Sequence, residues 1–281
     1  MKKYQLVKNM MRSIFAAPKE KSIFCADFSS IEARVVLWMA DEEGALETLR
    51  SGRDIYIEMA KEINPEEPDR QLGKQIILGA GFGMGHIVFM TTCQGYGMEV
   101  DEYLAKKAIS TYKKTYPGVP RIWKGFERAF LDAMETGSAS VRGVLFKKET
   151  MFGRMAISMY LYSGRKIIYW EPRLAPGKYG PEIRSTFRIS GGAMYERKTW
   201  GGDIFQDFVQ GTARDMMCYG SRQAGKAGFE IFATVHDEAL GLGDSDRDLD
   251  DFITAFAQKP SWAKGCPVEA SGWKGQYYRK D

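Results

Sequence analysis

Histidine and cysteine are scarce in this chain, whose 281 residues include two histidines and four cysteines. Two histidines are too few for a metal centre built from several imidazole rings. The cysteines lie far apart without Cys-x-x-Cys spacing, which argues against a structural zinc site or a disulfide framework. Thiols spaced in this way suit a reducing compartment, so we expect a cytoplasmic protein.

Long apolar segments are also missing. The chain has no run of 18 apolar residues and no apolar core of a signal peptide, so we predict that it is neither secreted nor associated with a membrane. The net charge of +4 and the pI near 8.7 are mildly basic. This charge permits nucleic-acid binding without establishing it.

The segment around Asp27 places a charged side chain at the end of an apolar run. Residues 22–26 are apolar and favour β-structure, which predicts a buried strand ending in Asp27. A helical pattern follows, with Ile31, Val35 and Trp38 on one face. A catalytic or metal-binding carboxylate often occupies such a position. An aspartate also caps helices and opens turns, so both explanations remain open here.

Four side chains recur at four-residue spacing: Arg70, Lys74, Leu78 and Phe82. On an α-helix, steps of four residues drift by only about 40°, so these side chains form one stripe. Residues 68–69, Pro-Asp, are typical of a helix start. An ordinary amphipathic surface helix explains the stripe. The dense glycines between residues 73 and 85 weaken such a helix and suggest instead close approach by another molecule, or a helix that moves.

Helical periodicity returns from Asp203 and separates two faces. The apolar face carries Ile204, Phe208, Thr212 and Met216. Gln206, Gln210 and Arg214 lie on a polar face, four residues apart. A half-buried helix with a solvated outer face explains this pattern without any function.

A β-hairpin is predicted next, with a carboxylate at its tip. Residues 229–235 predict one strand and residues 238–242 a second, joined by His236-Asp237 as a tight turn. Asp237 could be a solvated turn residue, because aspartate is favoured in turns. Asp27 and Asp237 together offer the two carboxylates that a two-Mg²⁺ site needs, and Arg70 and Lys74 would neutralise a triphosphate. This combination predicts a phosphoryl-transfer enzyme.

Four ordered motifs carry a specific resemblance to the family A DNA polymerases. Asp27-Phe28-Ser29-Ser30-Ile31-Glu32-Ala33-Arg34 resembles motif A, whose pattern is D-[YF]-S-x-I-E-x-R. The stripe from Arg70 to Phe82-Gly83 is similar to motif B, the nucleotide-binding finger helix. Val235-His236-Asp237-Glu238 resembles motif C, and Gln210-Gly211-Thr212-Ala213-Arg214-Asp215 is similar to the QGTAxD helix. The closing Gly272-Trp273-Lys274-Gly275-x-x-Tyr278 looks most like phage-type members.

The resemblance implies a reaction and the residues that perform it. The chain would be a DNA-templated DNA polymerase that transfers a nucleotide from a dNTP to a primer 3′-hydroxyl by a two-Mg²⁺ mechanism. Asp27, Asp237 and the Phe28 carbonyl would hold the ions. Arg70 and Lys74 would bind the triphosphate, and Lys74 could protonate the leaving pyrophosphate.

The resemblance also implies contacts to the sugar and to primer-template DNA. Glu32 would lie under the sugar and exclude a 2′-hydroxyl, and His236 would contact the primer terminus. Gln210 would contact the template-side minor groove. Further residues implied at the primer-template are Gln206, Arg214 and Gly83.

This sequence departs from the family pattern at two dNTP-binding positions. Leu78 stands where the family usually has Phe or Tyr, so it offers shape contact without aromatic stacking. Phe82 stands where a Tyr is usual, so the hydroxyl that would bond Glu32 is missing. Both changes affect the expected selection of sugar and base rather than the chemistry.

The implied fold is α+β, with a palm of antiparallel sheet and helices and a mainly helical inserted fingers subdomain. The expected palm comprises residues 1–45 and 201–281, and the expected fingers residues 46–200, with short strands between about 141 and 190. Because 26 residues precede Asp27, we expect the thumb and the exonuclease to be absent. The chain would then be a palm-and-fingers half, either a fragment or a separately encoded subunit. In the second case an upstream partner protein is expected to carry the thumb, with or without an exonuclease.

The alternative hypothesis comes from a different functional class. The chain would then be a non-catalytic, polymerase-derived module that binds primer-template DNA or a replisome partner. Retention of Asp27, Lys74 and Asp237 favours the enzyme, because a binding role needs none of them. The expected lack of a thumb and the changes at Leu78 and Phe82 favour the module.

Overall fold

The computed structural model describes residues 12–178, 180–188 and 192–279. The start of the predicted first palm segment, residues 1–11, lies outside the described residues. The helices are α1 (Ile31–Met39), α2 (Glu43–Arg50), α3 (Ile55–Ile63), α4 (Arg70–Ala80), α5 (His86–Gly95), α6 (Glu102–Thr115), α7 (Gly118–Thr136), α8 (Gly201–Lys226) and α9 (Leu249–Phe256). The strands are β1 (Lys21–Phe28), β2 (Ser138–Val141), β3 (Val144–Met151), β4 (Arg154–Tyr160), β5 (Lys166–Gly177), β6 (Gly180–Arg188), β7 (Met194–Thr199), β8 (Glu230–Val235), β9 (Glu238–Asp244) and β10 (Ala270–Gly275).

The fold is α+β, as predicted, and the chain divides into two compact units. Unit 1 comprises residues 1–31 and 213–281, and unit 2 comprises residues 32–212. The predicted division into palm and fingers rests on the resemblance and stays a prediction. None of the helices in the described ranges has the length and hydropathy that crossing a membrane would require.

Unit 1 is built on a four-stranded antiparallel sheet in the order β10-β1-β9-β8. One face of β1 packs against aromatic side chains, since Phe24 contacts Phe252 of α9 with ring centroids 5.8 Å apart. On the other face, Ile23 and Cys25 belong to a buried cluster with Trp273. Both faces are covered, which explains why residues 23–26 of β1 are all apolar instead of alternating with polar residues.

Unit 2 contains a six-stranded antiparallel sheet in the order β2-β3-β4-β5-β6-β7. Helix α7 packs against this sheet through aromatic pairs. Phe126 contacts Phe146 at 5.8 Å and Phe130 contacts Tyr169 at 5.1 Å between ring centroids. The strands run from residue 138 to residue 199, so the sheet is more extensive than the short strands expected between 141 and 190.

Helix α4 buries one face and leaves the predicted stripe accessible. The buried residues are Leu72, Gly73, Gln75, Ile76, Ile77, Gly79 and Ala80. Arg70 is exposed, and Lys74 and Leu78 are half-buried. The side chain of Asp69 accepts a hydrogen bond from the Gln71 N–H at 2.8 Å, which is N-capping. The predicted helix start before Arg70 is therefore confirmed.

The predicted helix is too long at its C-terminal end, because α4 ends at Ala80 and Phe82 lies in the following turn. The Met84 N–H reaches back to the Gly79 carbonyl at 3.3 Å, and the Gly83 N–H bonds to the Ala80 carbonyl at 3.0 Å. Gly83 has a φ of 81°. These contacts form a Schellman motif, which ends a helix with a residue in the left-handed conformation. Phe82 therefore lies outside the helix that carries Arg70, Lys74 and Leu78.

Gly73 sets the separation between α3 and α4, because a Cβ there would overlap the Tyr56 carbonyl oxygen. We predict that Gly73→Ala lowers the free energy of unfolding by at least about 2 kcal/mol, since a backbone oxygen cannot move aside cheaply. Gly44→Ala in α2 is the control. A Cβ at Gly44 meets open space, so this variant should gain up to about 1 kcal/mol. Urea denaturation measures both, and equal responses would contradict the prediction.

Candidate active site

Asp27 lies inside β1, one residue before its end, and is half-buried. Its cross-strand partners are Glu238 on β9 and Ser271 on β10. Helix α1 begins at Ile31, four residues later, so Asp27 does not occupy the N-cap position of that helix. Of the two explanations left open by the sequence, helix capping is excluded.

Asp237 lies in the tight turn that the sequence predicts. Val235 pairs with Glu238, which leaves His236 and Asp237 as a two-residue loop between β8 and β9. Because Glu238 is also the partner of Asp27, Asp237 is adjacent in sequence to the residue that faces Asp27 across the sheet. The two carboxylates therefore belong to the same end of the unit 1 sheet.

The hairpin loop is strained at His236. Its φ is 53°, a left-handed conformation that costs a residue with a Cβ about 1–2 kcal/mol. His236 is exposed and Asp237 is half-buried. A residue held in such a conformation is a reason to look for a function at that position.

A third carboxylate at this sheet end is engaged by a tyrosine. Glu238 lies directly opposite Asp27, so the two side chains share one face of the sheet. The Tyr278 hydroxyl donates a hydrogen bond to Glu238 Oε2 at 2.6 Å. Burial raises the pKa of Tyr278, and the hydrogen bond to Glu238 raises that pKa further. Tyr278 therefore stays a donor and holds the Glu238 carboxylate in place.

The oxygen donors at this end of the sheet suit Mg²⁺. Asp27 and Asp237 offer carboxylates, and Phe28 offers a backbone carbonyl. Mg²⁺ prefers oxygen ligands and is usually held by one or two carboxylates, with water and substrate phosphates completing its shell. Within the described residues, no three His, Cys, Asp or Glu side chains converge on one point that could hold a metal ion. The donor set therefore fits an ion shared with a substrate better than a closed protein cage.

In unit 2, the cations of α4 have different surroundings. The Arg70 Nε donates a hydrogen bond to Asp54 Oδ2 at 2.6 Å. The Arg70 guanidinium also lies over the ring of Tyr56, 5.3 Å from its centroid. Lys74 and Leu78 follow Arg70 along the accessible face of the helix. Arg70 and Lys74 can receive an anionic ligand, and Leu78 extends the same surface with an apolar contact.

Helix α8 has the two faces that the sequence predicts. The residues of its apolar face are all buried: Ile204, Phe208, Thr212 and Met216. Gln206 is half-buried, and Gln210 and Arg214 are exposed. In unit 1, the Arg214 Nη1 lies 3.4 Å from the Thr234 hydroxyl of β8. Arg214 is thus close to the strand that leads into the hairpin loop.

Glu32 and Gly83 are each explained in part by the local backbone around them. Glu32 lies in the first turn of α1, where the helix dipole interacts favourably with a carboxylate. A Cβ at Gly83 would overlap the ring of Trp200. Gly83 is therefore already explained by its conformation and by this contact, and its implied contact with DNA stays a prediction.

Sequence reasoning gave no role to two of the side chains at these sites. Glu238 belongs to the segment that resembles motif C, and the predicted two-residue turn places it opposite Val235. Its position opposite Asp27 depends on the β1–β9 register, which no local pattern reveals. Asp54 contacts Arg70 across 16 residues of sequence, and its only local signal is that of a helix N-cap.

Comparisons with known proteins agree with these motifs. The model of the family described as DNA polymerase family A matches residues 3–242. The DNA polymerase of Bacillus phage SP02 is 28% identical over 98% of this chain and 44% of its own length. DNA polymerase I of Pseudomonas aeruginosa is 28% identical over 74% of this chain and 18% of its own length.

A solved structure has a similar fold. It is the POL domain of Pol1 from M. smegmatis in complex with DNA primer-template and dNTP. Its TM-score is 0.65 at 16% identity, over 96% of this chain and 42% of that chain. This chain thus spans less than half the length of the phage relative and of the solved structure.

The left-handed conformation of His236 leads to a prediction about stability. We expect His236→Gly to have a higher free energy of unfolding than His236→Ala by about 1 kcal/mol, because glycine adopts φ near 53° without a Cβ penalty. Urea denaturation of the two variants measures this difference. An alanine variant at least as stable as the glycine variant would show that the loop is not strained.

Proposed function

Because this chain belongs to DNA polymerase family A, we propose that it catalyses DNA-templated extension of a primer. The observation that carries this proposal is that Asp27 in β1 and Asp237, in the loop that leads into the neighbouring strand β9, lie at one end of the unit 1 sheet. The chain spans less than half of the phage relative. The proposal therefore concerns the chemistry of this segment.

Asp27, Asp237 and the Phe28 carbonyl are the residues proposed to hold two Mg²⁺ ions. Two bound ions supply positive charge that stabilises the attacking and leaving oxygens of an in-line displacement. Glu238 is proposed to stay outside this ligand set, because Tyr278 already engages its carboxylate.

The stripe on α4, together with Phe82 in the turn that follows it, is proposed to bind the incoming nucleotide. Arg70 and Lys74 neutralise the triphosphate, while Leu78 and Phe82 contact its base and sugar. The primer 3′-hydroxyl gives its proton to solvent water, and its oxygen bonds to the α-phosphorus as the bond between that phosphorus and the oxygen bridging to the β-phosphate breaks. Lys74 donates a proton to the departing pyrophosphate.

The remaining residues are proposed to select the sugar and to contact DNA. Glu32 excludes the 2′-hydroxyl, and His236 contacts the primer terminus from the hairpin loop. The polar face of α8 contacts the primer-template. The residues assigned to this DNA contact are Gln206, Gln210, Arg214 and Gly83, of which Gly83 belongs to the turn after α4.

The assignment of Asp237 predicts the effect of an isosteric change. Asp237→Asn keeps the shape of the loop residue but removes the charge that holds a cation. We expect Mg²⁺-dependent primer extension with all four dNTPs to fall at least about 100-fold, because the cation that the Asp237 carboxylate would hold stabilises the charge on the reacting oxygens. The melting temperature should stay close to that of the wild type.

Asp246→Asn is the matched control, since Asp246 is an exposed aspartate of unit 1 in the loop after β9. This variant should extend primers like the wild type, both alone and beside candidate partner proteins. Retained extension by Asp237→Asn would refute the metal assignment. DNA binding by the wild type without any extension would favour the non-catalytic module.

The assignment of Glu32 predicts a change in sugar selection. We expect Glu32→Ala to reduce the preference for dNTPs over rNTPs by about 10- to 100-fold, because the side chain that fills the space of a 2′-hydroxyl is removed. The measurement is the ratio of kcat/KM for dATP and ATP. Glu47→Ala, at an exposed position of α2, is the control. An unchanged ratio would place sugar selection at other residues.

A further inference from the structure

Arg70 is held by one edge of its guanidinium. Its Nε donates a hydrogen bond to Asp54 Oδ2 at 2.6 Å. Within the described residues, the Arg70 side chain makes no other hydrogen bond. The two terminal nitrogens, with their four N–H donors, are left available. A guanidinium fixed in this way presents the fork that binds phosphate oxygens in pairs.

The two carboxylate oxygens of Asp54 have separate tasks. Oδ1 accepts hydrogen bonds from the Tyr56 N–H at 2.9 Å and the Ile57 N–H at 3.3 Å, which caps α3. Oδ2 receives Arg70. Burial on its own would raise the pKa of Asp54, but the bonds from Arg70 and from the two N–H groups together lower that pKa. Asp54 is therefore a carboxylate anchored to a helix end.

The other side of the guanidinium is bounded by an aromatic ring. Arg70 lies 5.3 Å from the ring centroid of Tyr56, and Tyr56 is buried in α3. The close packing of α3 on α4 at Gly73 fixes both helices. The Asp54 carboxylate bound to Nε and the Tyr56 ring against the guanidinium plane restrict the long Arg70 side chain to few rotamers. Less conformational entropy is then lost when a ligand binds.

We propose that Asp54 is a positioning residue, which holds Arg70 so that its terminal N–H groups bind the triphosphate of the incoming nucleotide. This inference rests on the proposed function of Arg70. The Arg70 side chain is 54% exposed and that of Asp54 is 32% exposed, so the ion pair by itself stabilises the fold little. Its effect is therefore expected in the binding of the nucleotide.

The division of tasks within Asp54 supplies the variants for a test. Asp54→Asn keeps an oxygen that can cap α3, while its amide group is a donor and repels the Arg70 N–H groups. Asp54→Ser also caps a helix but is too short to reach Arg70. Glu58→Gln is the matched control, because Glu58 is an acid of the same helix that contacts Arg53 and Lys61.

Primer extension at varied dNTP concentration is the first measurement. We expect Asp54→Asn and Asp54→Ser to raise KM for dNTP about three- to tenfold with little change in kcat, because a binding contact is loosened. Glu58→Gln should keep the wild-type KM. In an Arg70→Ala background, Asp54→Asn should have no further effect if it acts through Arg70.

An unchanged KM in Asp54→Asn would overturn the proposal. A lowered KM would also overturn it, since Asp54 would then compete with the triphosphate for Arg70. The second measurement is calorimetric binding of inorganic tripolyphosphate, which needs no catalysis. If the wild type binds tripolyphosphate through Arg70 and Asp54 but extends no primer, the proposed function fails and the positioning role stands. If extension is normal and neither KM nor binding responds to Asp54→Asn, only the positioning role fails.

Discussion

The antiparallel pairing of β1 with β9 is the constraint on which the candidate active site depends. Phe24 and Cys25 pack into different layers on the two faces of β1. A shift of one residue would therefore bury the wrong side chains on both faces, so the register is strongly specified. That register places Asp27 opposite Glu238. Burial of hydrophobic side chains thus determines where the carboxylates lie.

The nucleotide-binding stripe depends on packing in a comparable way. Helix α4 is buried along one side, so Arg70, Lys74 and Leu78 are left as its accessible line. Arg70 takes its orientation from α3, through Asp54 and Tyr56. A charged residue on a surface is usually mobile, and neighbouring elements are needed to give it one orientation. The residues that orient it are absent from the motif that contains Arg70.

Local patterns in the sequence predicted the elements that carry the site, and contacts between distant residues decided the rest. The strand before Asp27, the turn at Asp237, the cap at Asp69 and the faces of α8 all follow from short-range periodicity. The placement of Phe82 within the helix was wrong, because the turn with a left-handed Gly83 ends α4 before that residue. The six-stranded sheet and the Glu238–Tyr278 bond join residues far apart in the chain, which spacing alone does not reveal.

The loop between β8 and β9 has two residues, 236 and 237, and this number determines how the two strands pair. Exchange of either loop side chain leaves the number of residues between Val235 and Glu238 unchanged. An insertion or deletion of one residue would instead force a bulge or turn alternate side chains of one strand to the opposite face. Ala239 and Leu240 are both buried, so neither face of β9 could accept the exchange. Among related chains, this hairpin should therefore vary by substitution rather than by insertion or deletion.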